Sequence, residues 1–281
     1  MKLLCGTRIL DLSHPAVMGV LNVTDNSFSD GGRYQSPQAA LAHGAAMVEE
    51  GARVIDVGGE STRPGAEAVP LQQELDRVLP VIEALVARVD AVISVDSMKP
   101  EVMTAAVAAG AGMVNDVNAL RSPGALQAVA ATRAAICLMH MQGSPRTMQA
   151  DPRYSDVVAE VDVFLRQRAQ ACLGAGIGAD RIVLDPGFGF GKTLEHNLQL
   201  LAGLGRISAG AFPVLIGLSR KSMLARLIGR PVDERLAGSL ALHSIGTLHG
   251  ARIIRAHDVK QTVDAVAVAA AIRSVQQAQG S

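Results

Sequence analysis

The chain has 281 residues, 49% of them apolar, with 26 basic and 26 acidic side chains and a formal charge of zero. That length allows one large α/β domain or two small ones, and the charge balance carries no electrostatic footprint for nucleic acid. Five Phe, two Tyr and no Trp argue against stacking platforms for single strands.

Short apolar runs alternate with longer helical patterns. The first dozen residues precede the first run and are expected to form a small hairpin at the bottom of the fold. Strands are predicted at 16–21 (AVMGVL), 53–57 (RVIDV), 91–95 (AVISV), 112–116 (GMVND), 134–139 (AAICLM), 181–185 (RIVLD), 213–217 (PVLIG) and 251–255 (ARIIR). Each is continuously apolar, as strands buried on both faces are. Between them, Ser36-Pro37 is a helix start, with a capping hydroxyl and proline at the first helical position. Leu71, Leu75, Val78, Ile82 and Leu85 follow helical spacing, with a kink expected at Pro80. Val157, Val161, Phe164 and Leu165 share another helical face, and Val259, Val263, Val266 and Ala270 stripe the last helix. The longest apolar run, AVAVAAAI at 265–272, is too short for a membrane span. The start, MKLLCGTRIL, is too short in its apolar part for a signal peptide. Cys5, Cys137 and Cys172 lie far apart and are odd in number, which suits a reduced, cytoplasmic protein.

Eight β-α units without a linker point to one domain, 1–281, folded as a (β/α)₈ TIM barrel, with a doubly wound sheet as the alternative. The barrel is favoured by the polar groups near the strand ends: Asn22, Asp56, Asp96, Asn115, His140, Asp185, Lys221 and Arg255. A barrel gathers all eight at one mouth, whereas an open sheet scatters them along an edge.

The stretch LDPGFGFGKT (184–193) imitates a phosphate loop and fails its spacing. A Walker loop needs glycine where Pro186 stands, and a dinucleotide loop needs glycine where Lys192 stands. What remains is Asp185 at a strand end, ahead of a glycine- and phenylalanine-rich loop. Two further loops, NVTDNSFSDGG (22–32) and GGESTRPGA (58–66), are long for β-α connections. As a pair they read as lids, each with one large or stiff apolar residue, Phe28 and Pro64. Asp96 and Asp185 need donors where they are buried. Helix capping would explain Asp96 as well as a site would; the Pro-Gly after Asp185 argues against capping there. With Asn115 between them, the two carboxylates suit a flat heterocycle with several N–H donors. LSRKS (218–222) and RAHD (255–258) put Ser219, Arg220, Lys221, Arg255 and His257 on the opposite side, where barrels often hold phosphate. His140 has no second histidine at metal spacing and reads as structural. Met139 and Met141 read as packing. No zinc pattern exists, whereas magnesium needs only one protein oxygen beside substrate phosphates, and Asn22 could supply it.

These segments, taken in order from MGVLNVTDNSFSDGG to RAHDV, resemble the dihydropteroate synthase family over nearly the whole chain. DVGGESTRPGA, ISVDSMKP, VNDVNAL, MHMQGSP, LDPGFGFGKTLEHNLQLL and IGLSRKSML carry the likeness between those ends. The resemblance implies a transferase that joins p-aminobenzoate to 6-hydroxymethyl-7,8-dihydropterin pyrophosphate, releases pyrophosphate, needs Mg2+ and is a sulfonamide target. It implies a pterin site at Asp96, Asn115, Asp185 and Lys221, bordered by Met139, Phe190, Gly217 and Arg255. It implies a pyrophosphate site at Asn22, Thr62, Arg63, Arg255 and His257, with the metal at Asn22. Thr62, Arg63, Pro64, Phe190, Ser222 and the lid residues Phe28 and Asp30 would border p-aminobenzoate. Asp96, Lys221, Arg255, His257 and Asn22 would be the catalytic set, in a homodimer. The first loop departs from the family's Thr-Pro-Asp-Ser-Phe-Ser-Asp by Asp25 and Asn26, which frees the backbone where proline is usual. Two rivals are a pterin-binding barrel that presents a methylated folate to a cobalamin partner and a Schiff-base aldolase using Lys221. The first has no need of STRPG, SRKS or the Arg255–His257 pair; the second needs a desolvated lysine.

Overall fold

A computed structural model describes residues 1–23, 37–61, 65 and 67–279. Strands β1 (Lys2–Cys5) and β2 (Arg8–Asp11) form an antiparallel hairpin. Eight parallel strands follow: β3 (Ala16–Asn22), β4 (Val54–Gly58), β5 (Val92–Asp96), β6 (Met113–Asp116), β7 (Ala135–Met139), β8 (Ile182–Asp185), β9 (Leu215–Ile216) and β10 (Ile253–Ala256). Their order around the sheet is β8-β7-β6-β5-β4-β3-β10-β9. The ring closes where Leu184 bridges Val214 in parallel and its N–H meets the Pro213 carbonyl at 3.0 Å. This is the barrel, and every predicted strand is present within one or two residues at each end. β9 is the shortest because its N-terminal neighbours, Pro213 and Val214, bond through their carbonyls to β8 and β10 without forming a full ladder.

Helices cover the outside: α1 (Pro37–Glu49), α2 (Leu71–Val86), α3 (Pro100–Ala108), α4 (Ala125–Ala130), α5 (Val157–Gly174), α6 (Leu194–Ala202), α7 (Leu204–Ser208), α8 (Ser222–Ile228), α9 (Leu236–Leu248) and α10 (Val259–Gln279). The units after β8 and β9 each carry two helices where one would do. α1 begins at Pro37 as expected; Ser36 lies outside the described residues. Pro80 leaves α2 unbroken. It sits on the solvent side, so the carbonyl that loses its donor there can turn to water. α10 buries Val259, Thr262, Val266 and Ala269, so Val263 and Ala270 flank the stripe.

Alternation along each strand divides the interior into levels. Met18, Val54, Val92, Met113, Ala135, Cys137, Val183, Leu215 and Ile253 form one apolar cluster with Leu3, Cys5, Leu10 and Leu12 from the hairpin segment. The hairpin therefore plugs the bottom. Two residues further along the strands, the side chains turn polar: Asp56, Ser94, Asn115, Asp185 and Arg255, with Asp96 two beyond Ser94. A separate cluster of Val117, Met139, Met141 and Met148, with Met98 and Phe190 against it, lies at the C-terminal end. The barrel is thus an apolar plug below and a charged mouth above.

If the plug is a true core, Leu3→Ala loses about 2–4 kcal/mol of unfolding free energy in urea. Ile9→Ala in the same hairpin, where Ile9 is 60% exposed, changes it by less than about 0.5 kcal/mol.

Candidate active site

β4 puts Asp56 in the barrel interior with no exposed surface. Its Oδ2 accepts from Arg255 Nε on β10 at 2.7 Å and from Asn115 Nδ2 on β6 at 3.0 Å. Arg255 Nη2 donates to Asp96 Oδ2 at 2.8 Å. One guanidinium therefore spans the mouth between two strand-end carboxylates. Arg255 was expected among basic groups opposite the carboxylates; it instead reaches across to them. Burial works against its charge, but Asp56 and Asp96 outweigh this and hold its pKa above the usual arginine value. Burial raises Asp96 to about 7, with Arg255 pulling down and Asp56 and Asp116 pushing up. No motif marks Asp56 as more than a strand-end carboxylate. Its position two residues below the level of Asp96, which pairs with Gly58, makes it the fixed partner that orients both Asn115 and Arg255.

Asp185 ends β8 and accepts the Gly187 N–H on Oδ1 at 2.7 Å. Burial raises it to about 6, against the pull of that amide and of Lys221 and Lys192. The loop that follows explains its glycines. Gly187, Gly189 and Gly191 have φ of +70°, +80° and +60°, a region that β-carbons resist. A Cβ on Gly187 would lie 1.9 Å from the His140 carbonyl oxygen. The alternating glycines let the loop press on the β7 loop while Phe188 turns into the core and Phe190 turns to the mouth. Phe190 meets Lys221, whose Nζ lies 4.3 Å from the ring centroid.

All eight residues expected around a pterin line one cleft: Asp96, Asn115, Met139, Asp185, Phe190, Gly217, Lys221 and Arg255. Val117, Gly187 and Phe188 complete it. Asn22 ends β3, half-buried, and pairs in register with Gly58, which pairs with Asp96. Ser222, exposed, opens α8 directly after Lys221. His257 Nδ1 meets Ser219 Oγ at 3.0 Å. Burial, then Arg255 and Arg220, lower its pKa to about 3, so it is neutral near pH 7. Arg220, expected in the phosphate cluster, is bound to Asp258 through Nε at 3.0 Å and Nη2 at 2.5 Å. His140 is buried and neutral, its pKa lowered to about 2 by burial and by Lys192, in keeping with a structural residue. Phe28, Asp30, Thr62, Arg63 and Pro64 lie outside the described residues. The segment leading to the last three is anchored. Lys99, after β5, bridges Glu60 and the fully buried Glu74 of α2, and Arg77 donates to the Gly59 carbonyl at 2.9 Å.

Residues 18–257 match the model of the pterin-binding enzyme family. A dihydropteroate synthase of Escherichia coli strain K12 is 50% identical over 277 residues, covering 99% of this chain and 98% of that one. The chain belongs to the dihydropteroate synthase family. Among solved members, the Yersinia pestis enzyme in a sulfonamide complex superposes with a TM-score of 0.94 at 49% identity, covering 98% of this chain and 100% of that chain. The Xanthomonas albilineans enzyme with 4-aminobenzoic acid gives 0.91 at 54% identity, covering 97% and 98%.

Removing Asp56 leaves Arg255 and Asn115 without their shared acceptor. Asp56→Leu is expected to lose about 3–5 kcal/mol of stability in equilibrium urea unfolding. Asp96→Asn, which leaves Asp56 under Arg255, is expected to lose less than half as much.

Proposed function

We propose that this chain condenses 6-hydroxymethyl-7,8-dihydropterin pyrophosphate with p-aminobenzoate to 7,8-dihydropteroate, releasing pyrophosphate. The observation that carries this reading is the row of oxygen acceptors, Asp96, Asn115 and Asp185, in one cleft with Lys221 and Arg255. A pterin offers amino and ring N–H donors along one edge, which is the complement of such a row. Low dielectric strengthens each bond once water is displaced. Lys221, positioned over the Phe190 ring, supplies a donor for the pterin's acceptor atoms.

The difficult event is breaking the carbon–oxygen bond to pyrophosphate. Positive charge grows on the pterin methylene and negative charge on the leaving group. The amine of p-aminobenzoate is neutral at pH 7 and needs little base. The path is largely dissociative: the C–O bond breaks first, its electron pair leaving with pyrophosphate, and the amine nitrogen then bonds to the methylene cation and loses one proton. Asp96 is set to stabilise the developing cation. Arg255 and His257 face the developing anion: the first as a fixed charge, the second as a neutral ring whose Nε2 is left for a phosphate oxygen. A diphosphate beside His257 would raise its pKa and favour the donor form. Asn22 with Arg63 and Thr62 would complete that side. Thr62, Arg63, Pro64, Phe190, Ser222 and the lid residues Phe28 and Asp30 would border p-aminobenzoate.

Magnesium fits this arrangement. Among the described residues, no group of three His, Cys, Asp or Glu is placed to cage a metal, while Asn22 offers one amide oxygen at the mouth. Bound there with the substrate phosphates, the ion would neutralise charge on the leaving group. A homodimer is supported by the exposed apolar side chains of the last two helices, Ile245, Val268, Ile272 and Val275. A cytoplasmic setting is supported by three buried, unpaired cysteines.

Pyrophosphate release from the pterin substrate should require p-aminobenzoate and yield dihydropteroate; tight pterin binding without release would favour a binding module. Asp96→Asn is expected to lower kcat by about 10²–10³-fold while changing pterin affinity much less. Sulfonamides should compete with p-aminobenzoate, and inhibition that excess p-aminobenzoate does not relieve would remove that pocket assignment.

A further inference from the structure

The lysine of the failed phosphate motif has a different use. Lys192 is 3% exposed, and among the described residues no carboxylate lies within salt-bridge distance of its amine. It does not line the cleft. Its Nζ lies 2.9 Å from the Gly187 carbonyl, 3.0 Å from that of Phe190, 3.4 Å from that of His140 and 3.0 Å from His140 Nδ1. Burying an ammonium is costly unless its donors are met. Here four acceptors, drawn from two strand-end loops, surround three donors.

We propose that Lys192 is a positioning residue for the pterin pocket: its ammonium ties the loop after β8 to the loop after β7 and fixes the turn that presents Asp185 and Phe190. Gly187 is the pivot. Its N–H donates to Asp185 Oδ1, its carbonyl accepts from the Phe190 N–H at 3.1 Å, and the same carbonyl accepts from Lys192. Without the lysine, two carbonyls of the turn and one of the β7 loop face a dry interior with too few donors. The turn would then relax, the amide would leave Asp185, and Phe190 would leave Lys221. The neighbours supply no substitute. Gln149 Nε2 is already used by the Gly189 carbonyl, Tyr154 OH by that of Gly191, and Asn197 Nδ2 by those of Thr193 and Lys192 itself. His140 is neutral, so Nδ1 is free to accept. Burial lowers Lys192 to about 7, with Asp185 opposing this and Lys221 adding to it, and the three carbonyls on its Nζ favour the charged form.

The inference rests on the pterin reading of the cleft, and its test separates the two. In Lys192→Met, amide exchange at Gly187 and Phe190, measured with no substrate present, should accelerate about tenfold or more while β3–β5 stay protected. The KM for the pterin pyrophosphate should rise about tenfold or more, with the KM for p-aminobenzoate within about twofold. Lys192→Gln keeps a smaller donor, is milder should the Met variant fail to fold, and should show the same pattern at lower amplitude. Unchanged exchange at Gly187 in a folded variant, or equal losses toward both substrates, would overturn the proposal. Faster exchange in the variant beside a wild type that does not bind the pterin would leave the clamp intact and sink the pterin reading instead.

Discussion

The mouth of this barrel depends on one guanidinium held between the buried Asp56 and the partly buried Asp96. The Asp56 carboxyl group cannot lie in the barrel interior without donors, and Arg255 cannot lie there without acceptors. Each answers the other, and Asn115 is oriented by the same oxygen. Asp96 is then left with one strong partner rather than two. That arrangement suits a group that must accept a ligand's N–H, since only one contact has to be shared or exchanged. Replacing a whole buried network with well-packed apolar side chains is often neutral or stabilising, because buried ion pairs seldom beat good packing. Its value is that it fixes where the acceptors point.

The glycine-rich loop solves the complementary problem on the other wall. Asp185 is satisfied by a backbone amide, so its free oxygen still faces the cleft. That amide is available only because Gly187 takes a left-handed conformation close against the His140 carbonyl. The motif that imitates a phosphate loop is a packing device: its glycines allow contact with the β7 loop, its phenylalanines fill the core and the mouth, and its lysine turns inward.

Much of this was legible in the sequence because a parallel barrel writes itself plainly. Its strands are buried on both faces, so they appear as unbroken apolar runs, and the polar residue that ends each run marks the mouth. The hairpin plug was legible from its position before the first strand. Less visible were relations across strands. The Asp56–Arg255 contact joins residues 199 apart in sequence, and no local pattern encodes it. Arg220 looked like a phosphate ligand because its partner, Asp258, lies on another loop. Lys192 stood out only as the residue that breaks a dinucleotide loop's spacing, because burial of a lysine depends on carbonyls, which carry no residue signature. Pro80 kept its helix because the side it faces, solvent, is a property of packing.

The most direct test of the account is proton release when bare 6-hydroxymethyl-7,8-dihydropterin binds, measured by calorimetry in buffers of differing ionisation enthalpy. In the free protein Asp96 and Asp185 titrate near 7 and 6, raised by burial. N–H donors from a bound pterin favour the ionised carboxylates and lower both values. Binding at pH 6 should therefore release protons, and the release should fade by pH 8, where both groups are already ionised. Binding at pH 6 with no proton release would contradict the claim that these two carboxylates read the pterin edge.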